Sequence, residues 1–218
     1  MTIPPSSDAE RVLPHVVYAD ELRSHAVKLI WLGHQRLDAV SFATTDEDVI
    51  TEKLVVAMKA AQADESSPSW VDRYEIHEQR PQNVESKHGK HRPKMDIEFE
   101  RPCRGFRPRL GFEAKRLRKS SGLRDYLGEE GMAAFLNGYY PTTHGEAGML
   151  GYVQDSSTSD WATRIEYQLV TSGGDHRVIV DRHWKRTAEP VARPWYESRH
   201  TDLSQAPLRV IHVLLPFC

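Results

Sequence analysis

Two alternating stretches read Met95-Asp96-Ile97-Glu98-Phe99-Glu100 and Leu110-Gly111-Phe112-Glu113-Ala114-Lys115. If both are strands, successive side chains point to opposite faces, so Glu113 and Lys115 share one face of the second strand. Carboxylates such as Asp96 and Glu113 can hold a hard divalent cation, and a lysine beside them can steady a hydroxide or a developing negative charge. The two stretches therefore predict a pair of strands that carries a site for a metal and a water.

A helix is predicted upstream, beginning after Thr44 or Thr45, because Thr44-x-x-Glu47 matches a capping box and an apolar stripe follows it. The stripe consists of Ile50, Leu54, Met58 and Ala61. On a helical wheel Glu47 falls on this inward stripe, whereas Glu52 falls well off it. Glu47 is therefore the first candidate for an acid that completes the site, and Glu52 is the alternative. A purely structural interpretation makes Glu47 the third helical residue of the capping box.

The remaining elements follow from hydrophobic periodicity and turn residues. Further helices are predicted at residues 18–36, 124–139 and 161–169, and further strands at residues 70–77, 147–153, 177–184 and 210–215. Residues 78–94 are polar and basic and predict a loop. A turn rich in proline, glycine and arginine joins the two opening strands, which favours a hairpin with a long tip.

This order of elements predicts a single α/β domain over residues 1–218, with a mixed central β-sheet flanked by helices. Its predicted parts are a flexible arm at 1–12, an N-terminal helix, a core at 44–155, and a C-terminal extension of helix and strand in the same sheet at 156–218.

Composition bounds the functional classes. The formal net charge is -2 and the pI is about 6.6, so a nucleic-acid partner can be argued only from local charge. Cys103 and Cys218 form no framework of the secreted kind, which favours a reducing cytoplasm. No apolar run approaches the roughly 18 residues that span a bilayer, and the first residues lack a signal-peptide pattern. We therefore expect a soluble cytoplasmic protein without a membrane partner.

Asp96, sixteen intervening residues and then Glu113-Ala114-Lys115 form a pattern with a helical glutamate upstream and a helix-strand pair downstream. Over residues 44–154 this pattern resembles the PD-(D/E)xK nuclease superfamily, which has the restriction-endonuclease-like fold. One departure is Met95, which stands where proline is common in the family. A strand pair with Glu113 and Lys115 on an ordinary solvated face is the structural alternative.

The resemblance implies a metal-dependent endonuclease that hydrolyses phosphodiester bonds of DNA with Mg2+ or Mn2+. Asp96, Glu113 and the Ala114 carbonyl would be the metal ligands, Lys115 would orient or activate the attacking water, and Glu47 would complete the site. By analogy of fold, such a protein could be an effector of a restriction or antiviral defence system. The alternative is a catalytically inactive module of the same fold that binds nucleic acid or acts as a scaffold.

Local charge supports a polyanionic partner. Residues 101–124 contain nine basic residues and one acid, a net charge of +8, and a second basic run spans residues 87–94. Arginine and lysine side chains bind phosphate oxygens, although each could instead be an ordinary solvated loop charge. The candidate nucleic-acid-binding residues are Lys90, Arg92, Lys94, Arg104, Arg107, Arg109, Arg116, Arg118 and Lys119. The choice between DNA and RNA stays open, as do a homodimer and partner proteins of a larger complex.

A weaker hypothesis is a zinc-dependent hydrolase. His88-x-x-His91 and Cys103 imitate a zinc spacing, but a fourth ligand is missing from the pattern. His200 and His212 are assigned no role, and the segment Tyr196-Glu197-Ser198-Arg199-His200 forms a local signature of unassigned purpose.

Overall fold

The computed structural model describes residues 8–83, 92–103, 107–179, 184–187 and 193–218, with side chains described from residue 18 onward. The helices are α1 (Asp8–His34), α2 (Glu47–Gln62), α3 (Gly122–Leu127), α4 (Met132–Leu136) and α5 (Thr158–Thr171), with 3-10 turns at Ala39–Phe42 and Val71–Arg73. The strands are β1 (Glu75–Pro81), β2 (Lys94–Glu100), β3 (Arg109–Leu117), β4 (Glu146–Val153), β5 (Lys185–Thr187), β6 (Trp195–Thr201) and β7 (Pro207–Pro216).

The described strands form one mixed sheet in the order β1-β2-β3-β4-β7-β6-β5. Strand β4 lies parallel to both β3 and β7, and the other neighbours are antiparallel. The predicted hairpin of β2 and β3 is confirmed, with Ile97 opposite Phe112. The α/β class and the mixed sheet flanked by helices are confirmed as well. No described helix is both long and apolar enough to cross a membrane.

Two apolar cores cover the two faces of the sheet. On one face α1 and α2 pack on β2, β3 and β7, through residues such as Ile30, Leu54 and Phe112. On the other face α3, α4 and α5 pack on β4 and β7, through residues such as Phe135 and Trp161. Each fully buried side chain of this size contributes about 1.5–3 kcal/mol. The predicted apolar stripe of α2 is confirmed, because all four of its members are buried.

Several predicted boundaries were wrong. The helix predicted from residue 18 begins at Asp8, so residues 8–12 are helical rather than a flexible arm, and residues 1–7 lie outside the described part. The helix predicted at 124–139 is divided into α3 and α4. Gly131 lies at the break, and a Cβ there would come within 2.4 Å of the Asp125 and Tyr126 carbonyl oxygens. The tight turn therefore requires a residue without a side chain.

The edges of the sheet differ most from prediction. The strand predicted at 70–77 is a 3-10 turn followed by β1, which continues to Pro81 into the predicted loop. The strand predicted at 177–184 is reduced to one bridge between Val178 and His200, and residues 180–183 lie outside the described part. Strand β6 was not predicted at all. It carries the local signature at residues 196–200 and extends the sheet beside β7.

His200 and His212 belong to a buried hydrogen-bond network. The Ser198 hydroxyl lies 2.6 Å from His200 Nε2 and 2.7 Å from His212 Nε2, and the Tyr126 hydroxyl lies 3.0 Å from His212 Nδ1. His200 Nδ1 lies 2.8 Å from the His176 carbonyl oxygen, so this nitrogen is the donor. One consistent pattern follows: Ser198 donates to His200, His212 donates to Ser198, and Tyr126 donates to His212. Both rings are neutral in this pattern.

Acid is expected to weaken the fold through this network. Burial lowers the pKa of His200 from 6.5 to about 4, and it lowers that of His212 as well. The unfolded chain binds more protons than the folded chain between these values, so stability falls as the pH drops from about 6.5 towards 4. His200 alone accounts for about 3 kcal/mol over this window.

The measurement is the free energy of unfolding in denaturant at pH 7.0, 5.5 and 4.5, for the wild type and for His200→Asn. Asparagine cannot take up a proton, so the variant should lose less stability than the wild type on acidification. If the two proteins lost the same stability on acidification, protonation of His200 would not be the cause of the loss.

Candidate active site

Lys115 joins two carboxylates at the end of strand β3. Its Nζ donates to Glu113 Oε1 at 2.9 Å and to Glu47 Oε1 at 3.0 Å. The side chain of Lys115 is 13% exposed and that of Glu113 is 6% exposed, so the contact is largely shielded from water. Three of the predicted site residues therefore meet directly, although Glu47 and Lys115 are 68 positions apart in the sequence.

Glu47 is the helical acid at this position. The predicted capping box was wrong: Asp46 is the N-cap residue, its side chain makes no capping bond, and Glu47 is the first residue of α2. Glu47 Oε2 instead accepts a hydrogen bond from the Arg116 backbone N–H at 2.9 Å. Glu52, the alternative, is exposed and pairs with Lys53. The structure therefore brings Glu47, and not Glu52, to Lys115.

Asp96 is fixed on the neighbouring strand by two hydrogen bonds. Its Oδ2 accepts from the Ala114 backbone N–H at 2.9 Å, and its Oδ1 accepts from Gln79 Nε2 at 2.9 Å. The ladder between β2 and β3 ends at Ile97, so the Asp96 carboxylate takes the place of the next backbone acceptor. Gln79 has a φ of 49°, which is unusual for a residue with a side chain. The residue whose amide holds Asp96 therefore has a left-handed backbone conformation.

Charge in the site is unbalanced. Burial is the largest cause and the negative charge of Asp96 is the next; they raise the pKa of Glu113 to about 8. Burial also raises the pKa of Asp96 and of Glu47. Burial alone would lower the pKa of Lys115, but the charges of Glu113 and Glu47 outweigh it and raise that pKa. Two carboxyl groups thus contact one ammonium and a third lies nearby, so the net charge of the cluster is negative whenever all three carboxyl groups are ionised.

The chemistry of these side chains suits a divalent cation. Glu113 Oε2 is buried and has no hydrogen-bond partner among the described residues, and buried acceptors of this kind are rarely left unsatisfied. Oxygen donors on Asp96 and Glu113 are the type that Mg2+ and Mn2+ prefer. The ligand role of the Ala114 carbonyl stays a prediction.

Tyr140 was not predicted as a site residue. It is 8% exposed, and burial together with the nearby charge of Glu113 raises the pKa of the tyrosine. Gln79 was missed too, because it lies in the segment predicted as a loop. The adjacent aromatic pair Tyr139-Tyr140 at the end of a predicted helix was the available signal for Tyr140; no pattern in the sequence marked Gln79.

The basic residues divide into two groups. Because β2 and β3 are antiparallel, the start of β2 and the end of β3 lie at the same edge of the sheet as Lys115. The predicted binding residues at this edge are Lys94, Arg116, Arg118 and Lys119. Lys94, Arg118 and Lys119 are exposed, whereas Arg116 is half-buried and pairs with Asp46 at 2.6 Å.

The second group lies further along the same strands. Arg107 and Arg109 approach Glu100 at 3.0 Å and 3.1 Å, so their charges are partly neutralised. Arg92 donates to Asn83 at 2.9 Å, and together with Arg109 it lines a polar cavity of about 500 Å³ next to Met95. Lys90 and Arg104 lie outside the described residues.

A second group of possible metal ligands occurs on β1 and β2. Glu75, His77 and Glu100 are the one set of three such side chains, among the residues described, whose ligand atoms all lie within 4.8 Å of one another. Arginine side chains already surround Glu100, with Arg80 at 2.6 Å, and their hydrogen bonds and charges outweigh burial and lower its pKa. A cation would have to displace them. The predicted zinc residues His88 and His91 lie outside the described part.

Comparisons of the chain with models of protein families, with curated proteins and with solved structures found no match. The interpretation of this site therefore rests on its geometry and its charges.

Proposed function

We propose that this protein is a metal-dependent endonuclease of the PD-(D/E)xK type that hydrolyses phosphodiester bonds of DNA. The observation that carries the proposal is the contact of Lys115 with Glu113 and Glu47, beside an Asp96 that is anchored to the same strand through the Ala114 N–H. A solvated strand face would not place a buried Glu113 and two partly buried carboxyl groups close to one lysine. Burying charge in this way is costly and is typical of functional sites.

Asp96 and Glu113, with the Ala114 carbonyl, would hold Mg2+ or Mn2+. The cation would polarise the scissile phosphate and lower the pKa of a bound water. Lys115 stays protonated, since its pKa is raised, so it donates hydrogen bonds to the water or to charge that develops on the phosphate. Glu47 holds the lysine in place from the start of α2.

The substrate follows from the charge around the site. Lys94, Arg118 and Lys119 are exposed at the edge of the sheet that carries Lys115 and can contact phosphates on either side of the cleaved bond. Binding through such contacts weakens steeply with added salt. From the cysteine pattern we further propose a cytoplasmic location, and by fold-level analogy alone a part in a restriction or antiviral defence system.

The second candidate function is a nucleic-acid-binding module without catalysis. The exposed basic edge would suffice for it, whereas the cluster of the buried Glu113 with the partly buried Lys115 and Glu47 would have no purpose beyond structure. Cleavage therefore discriminates between the two.

The test is a cleavage assay with supercoiled plasmid, linear duplex, single-stranded DNA and RNA, each with Mg2+, Mn2+, Ca2+ or EDTA. We expect cleavage of DNA with Mg2+ and Mn2+ and none with EDTA, and a rate that falls as salt rises. Tight binding of all substrates without cleavage in any metal would favour the binding module. Cleavage that persists in EDTA would reject the metal site.

Glu47 and Glu52 form a matched pair for a first test of the site. Glu47→Gln removes the charge that holds Lys115, so we expect the cleavage rate to fall by about 10–100-fold, as for other groups that orient a metal site. Glu52→Gln changes an exposed residue five positions along the same helix and should leave the rate unchanged. Equal rates for the two variants would remove Glu47 from the site.

A further inference from the structure

A pocket of about 450 Å³ lies on the outer side of α1, away from the carboxylate cluster. Its α1 wall is formed by residues spaced along one helix face, and the opposite wall by the chain that connects α2 to β1. The lining residues are Lys28, Trp31, Leu32, Gln35, Pro68, Trp70 and Arg193. Ligand pockets in proteins are typically of this size.

The aromatic walls are held in defined positions. Trp70 stacks on the His25 ring, with centroids 4.2 Å apart and planes inclined by 7°, and His25 Nδ1 lies 2.6 Å from the Tyr74 hydroxyl. Trp31 is 6% exposed, and the Arg193 guanidinium lies 5.1 Å above its ring. The Trp31 indole N–H is buried and has no acceptor among the described residues. Two indole rings thus frame the pocket.

The described lining of the pocket is basic. Lys28 and Arg193 line it, and none of the described residues that line it is acidic. An occupant that matches both features combines a flat aromatic ring with an anionic group. A hydrocarbon would match only the rings, and inorganic phosphate would match only the cations.

We propose that this pocket binds a nucleoside phosphate, with the base against Trp70 and the phosphate near Lys28 and Arg193. Bases stack on aromatic side chains with little dependence on sequence, and arginine suits phosphate oxygens. The ligand is either a free nucleotide or one nucleotide of a single-stranded nucleic acid.

This pocket is separate from the candidate active site. Gln62, the last residue of α2, donates to the Val71 and Tyr74 carbonyl oxygens at 2.8 Å, which ties the Trp70 segment to the far end of α2. Glu47 lies at the other end of this 16-residue helix, about 24 Å away. Binding at the pocket can therefore be measured whether or not the protein cleaves DNA.

The experiment is calorimetric titration of the full chain, without divalent metal, with AMP, with adenosine and with a ten-nucleotide oligothymidylate. The variants are Arg193→Glu and Trp70→Ala, and the control is Arg186→Glu, an exposed arginine on β5. We expect saturable binding that weakens at least about tenfold in both pocket variants and is unchanged in the control. Adenosine should bind at least about tenfold more weakly than AMP.

Each outcome decides the proposal. AMP binding that depends on Arg193 and Trp70 identifies a free nucleotide as the ligand class, and dependence seen with the oligonucleotide alone identifies a nucleic-acid strand. If Trp70→Ala does not fold, the surface variant Arg193→Glu decides. No binding, binding that Arg193→Glu leaves unchanged, or adenosine binding as tight as AMP overturns the proposal.

Discussion

Lys115→Ala is expected to reduce Mg2+-dependent DNA cleavage by at least about 100-fold, because the loss of one preorganised donor to transition-state charge costs about 10²–10³ in rate. The lysine is the only group in the cluster of Glu47, Asp96, Glu113 and Lys115 that carries a positive charge. Its removal leaves Glu47 and Glu113 without the ammonium that now contacts both. The measurement is the single-turnover cleavage rate with Mg2+.

A matched control separates chemistry from folding. Lys53→Ala removes a lysine that is exposed on α2 and pairs with Glu52, so its cleavage rate should equal that of the wild type. Lys115→Met serves as a second variant that keeps the length of the side chain without the charge. Wild-type rates in a folded Lys115→Ala protein, judged by circular dichroism and melting temperature, would remove the lysine from the mechanism.

Asp96→Asn is expected to weaken Mg2+ binding by more than about 100-fold and to abolish cleavage. Changes that only orient a metal ligand cost about 10–100-fold in affinity, so the loss of a ligand charge should cost more. Binding is measured as the rise of melting temperature with Mg2+ concentration, which does not depend on turnover. The wild type should be stabilised by Mg2+ and the variant should not.

The same variant should fold well without metal. Asparagine keeps an oxygen that can accept from the Ala114 N–H, and the Gln79 amide can rotate to face the new amino group. Burial raises the pKa of Asp96 above 3.8, so the ionised carboxylate costs stability at neutral pH and the neutral amide does not. A metal-free melting temperature at or above that of the wild type is expected. A Mg2+ response equal to that of the wild type would contradict the assignment of Asp96.

The sequence predicted correctly those elements whose apolar residues repeat at a regular spacing because one face of the element is buried. The α2 stripe repeats at helical spacing because one face lies on the sheet, and β2 and β3 alternate because each has one face against α1 and α2. These periods placed Glu113 and Lys115 on a common face. The approach of Glu47 to Lys115 followed from its position on the inward stripe, although the predicted capping bond was wrong.

Other features depend on contacts that no local pattern encodes. Strand β1 is an edge strand in which Ile76 is the one buried residue, so it lacks a clear alternation and Gln79 was placed in a loop. Strand β6 buries Ser198 and His200, and hydropathy assigns such residues to the surface. Their burial is possible because His212, on β7, and the His176 carbonyl supply hydrogen-bond partners.

The most direct test of the proposed metal site is a crystal structure of the protein with Mn2+, with the ion located by anomalous scattering. We expect one peak within about 2.2 Å of a carboxylate oxygen of both Asp96 and Glu113, and no peak in Asp96→Asn. A peak at Glu75, His77 and Glu100 alone, or no ordered ion beside Asp96 and Glu113 at millimolar Mn2+, would contradict the proposal that these two residues hold the catalytic metal.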